Sequence, residues 1–222
     1  MAGIHGARRL NIGRTTGCPS AARDPDHSVL TMGRTPVAKS RKQTFSLRPF
    51  EVDGSLSGIE CRGHLARRID TLSVHYEIIG DSLGIDLPGR KREPSRRIGL
   101  WEKTCLELFV AVKDRDQYWE FNLSPSGDWN VFHFEHYRNE RHADKLREEP
   151  LVASLPFRTQ RRSGSFVFDM EFDLDRLVRK DQFLEIGIAA IIQFDKDKTH
   201  WALTHYGPRP DFHRRDSFVI EM

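Results

Sequence analysis

Helix-forming pattern is scarce in this chain of 222 residues. Only two stretches suit a helix: DLDRLVRK (173–180), long enough for two turns with Asp173 as N-cap, and part of His136–Glu149. Without a strand–helix–strand rhythm there is no case for a parallel α/β sheet. Cysteine is nearly missing. Cys18, Cys61 and Cys105 are odd in number and lack C-x-x-C spacing, so they signal neither a disulfide framework nor a thiolate zinc site. No apolar run has the length of a signal peptide or a membrane span, and the expected compartment is the reducing cytoplasm. Also absent are a phosphate-cradling glycine loop and H-E-x-x-H.

Positive charge is lacking where a nucleic-acid binder would need it. The formal net charge is +3, but eight of the 35 basic and only two of the 32 acidic residues fall within 1–42. That leaves 27 basic against 30 acidic side chains in the body, so no nucleic-acid partner is expected. Residues 1–43 are rich in Gly, Arg, Ser, Thr and Pro, as in a disordered basic N-terminal extension, or the product of a start site placed ahead of Met32. Residues 44–222 form the expected domain.

What is present is alternation. Leu72, Val74, Tyr76 and Ile78 alternate with Thr71, Ser73, His75 and Glu77, and Phe166, Phe168, Met170 and Phe172 with Ser165, Val167, Asp169 and Glu171. Both stretches read as half-buried strands. FLEIGIAAIIQF (183–194) is apolar on both sides, as in a strand covered on both faces. Shorter candidates lie at 44–51, 56–64, 151–158, 199–205 and 217–221. About eleven strands without an internal repeat predict an all-β, antiparallel two-sheet β-sandwich, jelly-roll-like, with little helix. Residues 80–99 read as a long loop inside this domain.

The stretch from Leu100 to Tyr137 carries three of the four tryptophans. If Pro125–Asp128 is a four-residue hairpin connection, Asn122 faces Val131, Glu120 faces His133 and Tyr118 faces Glu135. One side then holds Trp119, Phe121 and Leu123 with Phe132 and Phe134. The other collects Tyr118, Glu120, Asn122, Trp129, His133 and Glu135. The preceding strand points Leu106, Leu108, Val110 and Val112 one way and Cys105, Glu107 and Phe109 the other. A face of carboxylates, an amide, an imidazole and a tryptophan suits a sugar, whose C–H faces stack on indole and whose hydroxyls hydrogen-bond planar polar groups. The alternative is an ordinary solvated sheet face with Glu120–His133 as a cross-strand pair.

Three motifs extend this reading. LWEKTCLELF, YWEFNLSPSGDW and HWALTHYGPRPDFH, in that order, resemble the DOMON-like family of bacterial proteins related to family-9 carbohydrate-binding modules, over roughly residues 45–222. The resemblance implies a jelly-roll-like sandwich whose relatives bind sugars or haem without catalysis. By position it carries over Trp101 and Glu102 with Thr104, Cys105 and Glu107, then Glu120 to Gly127, and finally His200, Trp201, His205, Pro210, Asp211, Phe212 and His213. Trp101 and Trp201 are the candidate aromatic platforms.

The expected function is therefore a non-catalytic module for a carbohydrate or glycan-derived small molecule, with no cofactor, no membrane partner and an oligomeric state left open. The candidate ligand-binding residues are Trp101, Glu102, Glu107, Glu120, Asn122, Trp129, His133, Trp201, His205, Asp211 and His213. A haem-binding redox domain is the alternative, with His133, His136, His200, His205, His213 or Met170 as axial ligands. A protein-interaction β-sandwich is a third. Asp195 and Asp197 in DKDKT offer alternating carboxylates for calcium, but the missing glycine and intervening lysines favour a solvated hairpin tip. Glu107, Glu120, Glu135 and His133 bring carboxylates near one another, yet no residue is assigned a catalytic role. Cys105 reads as a small buried hydrophobe. In GPRPDFHRRD (207–216), Phe212 is expected to plug the end of the sandwich, with Asp211 and His213 bonded to neighbouring backbone; the other reading has this loop, with the loop before Trp101, rim the binding face.

Overall fold

Alternating and continuous apolar patterns give rise to two kinds of strand. The computed structural model describes residues 41–51, 56–80, 85–138, 146–194 and 196–222. They form eleven strands: β1 (Arg41–Pro49), β2 (Glu60–Arg68), β3 (Thr71–Ile79), β4 (Cys105–Val112), β5 (Tyr118–Leu123), β6 (Trp129–Phe134), β7 (Phe157–Arg162), β8 (Ser165–Asp173), β9 (Leu184–Phe194), β10 (Asp197–Ala202) and β11 (Ile220–Glu221). All pair antiparallel along one path, β6-β5-β4-β9-β10-β1-β2-β3-β8-β7, with β11 added beside β9. The fold is all-β, and the pivot of the path is β1. Its residues Arg41–Leu47 pair with β2, while Arg48 and Pro49 pair with Ala202 and Trp201 of β10.

The two arms meeting at β1 close over one apolar core. Phe121 of β5 meets Phe172 of β8 edge-on with ring centroids 5.0 Å apart. The buried Tyr76 hydroxyl of β3 donates to the Glu107 carbonyl of β4 at 2.8 Å. That bond crosses from one arm to the other and satisfies the buried Tyr76 hydroxyl.

The arms differ on their outer faces. β3 alternates strictly between buried and half-buried positions, as a sheet with one wet face should. In β4 and β5 every position is buried. A second apolar cluster explains this: Phe109, Tyr118, Phe132, Phe134 and Phe218 pack on the outer face of β4–β5–β6–β9, with Trp101 and Phe212 at its margin. Gly187 in β9 makes room for it, since a Cβ there would stand 2.7 Å from the Phe218 ring. The double-sided pattern of 183–194 thus has its physical counterpart. The β6 edge is also covered, because the segment around Glu148 bridges Phe132, with the His133 amide donating to the Arg147 carbonyl at 2.8 Å.

Several expectations change. The 173–180 helix is a single 3₁₀ turn, Leu174–Arg176, although Asp173 does cap it by accepting from the Asp175 amide at 3.0 Å. The strands expected at 56–64 and 151–158 are displaced to β2 and β7. Much of His136–Glu149 lies outside the described residues, as do Asp195 and the segment 1–40. Part of the 80–99 loop is a strap along β6: Asp128 accepts from the Ser95 amide at 3.0 Å and pairs with Lys91, and Arg96 lies over the Trp129 ring at 4.6 Å.

The largest correction is the hairpin register. Gly127 sits at φ 96°, its amide donates to the Ser124 carbonyl, and the Ser124 amide donates to the Asp128 carbonyl, both at 2.9 Å. The connection is therefore the three residues Pro125–Gly127, a turn followed by a left-handed glycine, and not four. Asn122 pairs with Asn130, Glu120 with Phe132, Trp119 with His133 and Tyr118 with Phe134. One residue fewer in the loop turns all of β6 over. Trp129 and His133 move to the core side, Phe132 and Phe134 to the outer side, and the expected Glu120–His133 pair does not form.

Candidate functional site

Parity now defines one outer face. It presents Cys105, Glu107 and Phe109 from β4, Tyr118, Glu120 and Asn122 from β5, Phe132 and Phe134 from β6, Ile191 from β9 and His200 from β10. A cavity of about 410 Å³ opens over part of this face. Glu107, Glu120, Phe134, Ile191 and His200 rise into it from the strands. Trp101, on the 3₁₀ turn Leu100–Glu102, and Pro210, Phe212 and His213 wall it, with Arg138 and Leu146 at the mouth. Its volume lies in the range of small-molecule sites, about 300–1,000 Å³.

The carboxylates are the site's least ordinary feature. Glu107 is 3% exposed and Glu120 6%. Glu107 stands opposite Asn122, two residues along β5 from Glu120, so the two acids are diagonal neighbours across the β4–β5 pair. The Asn122 amide donates to Glu120 Oε1 at 2.9 Å, and Asn122 Oδ1 in turn accepts from the Cys105 thiol at 3.4 Å. Among the described residues no side chain donates a hydrogen bond to the Glu107 carboxyl. Burial raises the proton affinity of both acids, and for Glu107 the proximity of Glu120 adds to it, with the Arg138 charge acting against the rise.

A relay of polar groups backs the pair. The Arg138 amide donates to the Tyr118 oxygen at 3.3 Å, and the Tyr118 hydroxyl lies 2.9 Å from His213 Nδ1. This order assigns the hydroxyl proton to Nδ1 and leaves the ring's own proton on Nε2, 3.9 Å from Glu120 Oε2. Burial, reinforced by Arg138, lowers the His213 pKa to about 3, so the imidazole is neutral. Phe109 and Phe134 meet the His213 ring edge-on at 5.3 and 5.0 Å. The half-exposed Arg138 is already engaged: Nη2 donates to Asp211 at 2.8 Å, and Tyr137 also bonds Asp211. Burial opposes ionisation of Asp211, but these hydrogen bonds outweigh it and lower its pKa. His200 is held in the same way, with Nδ1 2.7 Å from Glu51.

The structure thus brings Trp101, Glu107, Glu120 and His213 to one cavity, with Asn122 beneath and Asp211 anchoring the wall. It separates the other candidates. Trp201 is 2% exposed on the core side of β10 and donates to Thr199, so it is no platform. Trp129 is buried in the core under Arg96. His133 stacks on Trp119, centroids 5.2 Å apart. Glu102 is exposed and turned to Gly99, and His205 Nε2 is 2.8 Å from the Arg48 carbonyl. Glu135 is an exposed partner of Arg147, and Met170 is core. Cys105 is fully buried, its thiol pKa raised by burial.

The outer face is neither an open platform nor a solvated sheet. The 207–213 loop does not plug the end of the fold; with Trp101 it rims the cavity, and Asp211 is tied mainly to side chains. Phe134 and Arg138 were missed. Phe134 follows from the three-residue loop, whose signal is Gly127 itself, whereas nothing local marks Arg138. A shallower cleft of about 690 Å³ lies on the open arm near His64, His75, Asp169 and Glu171. Its groups are solvated and matched, His75 with Asp169 at 2.7 Å and His64 stacked on His75, so it offers less unmet chemistry. No cluster of three or more metal-ligating side chains occurs among the described residues, and no described helix is long and apolar enough to cross a membrane.

No protein-family model matches the sequence, and no curated protein matches it. The fold is similar to that in a solved crystal structure of "a putative carbohydrate-binding protein from Bacteroides uniformis", with a TM-score of 0.59 and 15% identity over 80% of this chain and 84% of that one. At such identity the likeness is one of fold.

Proposed function

We propose that this protein is a non-catalytic module that binds a carbohydrate or glycan-derived ligand in the cavity between Trp101 and Phe212. One observation carries the reading. Buried planar acceptors, Glu107 and Glu120 braced by Asn122, lie beneath aromatic rings in a cavity of small-molecule size. Hydroxyl rims need such acceptors and C–H faces need such rings. The description of the Bacteroides uniformis protein supports the same reading. So do the three motifs, and on their strength we take the fold as a jelly-roll-like sandwich of the DOMON-like kind related to family-9 modules. The same reading takes the cell as bacterial and the site as cytoplasmic, where a soluble sugar, nucleotide sugar or cell-wall precursor is the fitting ligand; the module itself begins with β1 at Arg41, three residues ahead of the expected boundary at 44.

The test is a tryptophan-fluorescence and calorimetric screen of neutral and charged sugars. Binding is expected in the wild type and lost, at least tenfold, in Trp101→Ala and Phe212→Ala. A wild type that binds no sugar sinks the proposal. So does a Soret band on haemin titration that disappears with His213→Ala, which would make the cavity a haem site.

A further inference from the structure

Counting charges around the cavity shows a deficit. Glu107 and Glu120 are buried side by side, and among the described residues no cation in hydrogen-bond contact belongs to them. Arg138 is spent on Asp211 and Tyr137, and His200 on Glu51. His213 is neutral and its Nδ1 is taken by Tyr118. A buried carboxylate with no donor is costly, and a site that keeps one is shaped for a ligand that brings the donor. A metal ion does not fit, since the described residues offer no cluster of three ligating side chains there and hard cations need more oxygens than two carboxyls supply. A primary ammonium does fit. It is compact, carries three N–H donors, and gains further from aromatic faces such as Trp101 and Phe212.

We propose that the cavity is selective for amino sugars with a free ammonium, which docks against Glu107 and Glu120 while the pyranose ring lies between Trp101 and Phe212. This inference rests on the carbohydrate reading above and narrows it. It implies proton release. The acids hold protons more tightly than ordinary carboxyls, and an arriving ammonium drives them off, whereas a neutral sugar leaves them in place.

The experiment is calorimetric titration of the full chain with glucosamine, galactosamine, N-acetylglucosamine, glucose and cyclohexylamine at pH 6–8, in buffers of different ionisation enthalpy. At least one free amino sugar is expected to bind tenfold or more tighter than its neutral counterparts, with proton release visible as buffer-dependent heat. Glu107→Gln and Glu120→Gln are expected to erase that preference, and the proton count on the wild type stands even if either variant fails to fold. Equal affinity for glucose and glucosamine overturns this inference and leaves the carbohydrate reading intact. Cyclohexylamine binding as tightly as the amino sugars overturns both, as does the absence of any binding.

Discussion

The two arms of the molecule are built from the same antiparallel pairing, yet only one hides both of its faces. On the β2–β3–β8–β7 arm the outer residues are Arg62, Ser73, His75, Glu77, Asp169 and Glu171, which meet water and one another in pairs such as Arg62–Glu77 at 3.4 Å. On the β6–β5–β4–β9–β10 arm the outer residues are equally polar in places, but Trp101 and the segment leading to Phe218 cover them. Glu77 and Glu107 each occupy an outer position in the middle of a strand. The first is half-buried and paired; the second is buried and, among the described residues, receives no side-chain hydrogen bond. Location under a cover, not residue type, separates an ordinary surface from a candidate site.

The sharpest way to break this comparison is to cut the cover's anchor. Phe109→Ala removes a ring that is 1% exposed and packed against His213, Phe218 and Tyr118, and should cost about 3–5 kcal/mol in urea unfolding. A loss below about 1 kcal/mol would mean that the outer cluster contributes little and the arms are alike.

Next in size is the response to pH. Carboxyls whose folded pKa is raised stabilise the fold below their ordinary value near 4.5 and lose that contribution as pH climbs through the raised value. His213, depressed to about 3, acts oppositely: its contribution is complete above 6.5 and is lost as pH falls toward 3. Thermal stability should therefore decline from mildly acidic toward alkaline pH. The double variant Glu107→Gln/Glu120→Gln should flatten that decline and gain about 2 kcal/mol at pH 8, the usual cost of a buried group without its partner. A variant with the wild-type slope would show that these acids are solvated.

Gly127→Ala tests the hinge of the covered arm. The position is left-handed, and a Cβ would stand 2.8 Å from Pro94, so about 1–2 kcal/mol should be lost. A neutral result would return the four-residue connection, and with it the other orientation of β6, to consideration. On the open arm Glu77→Ala should change stability by about 0–1 kcal/mol, as exposed ion pairs do. A cost approaching that of Phe109→Ala would erase the distinction between the arms.

Much of this difference was legible along the chain. β3 and β8 alternate in type, and 183–194 does not, because a side chain facing water is free to be polar and one facing a second layer is not. The parity of β4 and β5 was also readable, which is why Glu107, Glu120 and Asn122 were correctly grouped on one face. β6 was not, because its orientation hangs on a single residue of loop length, and Gly127 as the left-handed position was the overlooked sign. Trp201 failed as a platform for a related reason. An exposed ring and a core ring look alike in sequence, and only the pairing of Trp201 with Ala190 turns it inward.

The sequence by itself determined the local terms: strands in place of helices, the faces of β3, β4, β5 and β8, the Asp173 cap, and the separation of a basic first segment from a mildly acidic remainder. These depend on neighbours two to four residues apart. Tertiary structure alone decided that β1 joins the two arms, that Phe218 settles over Gly187, and that Arg138 and Asp211, 73 residues apart, lock the rim of a cavity over two buried acids. Such contacts depend on which loop crosses which face, and no periodicity in the chain encodes that.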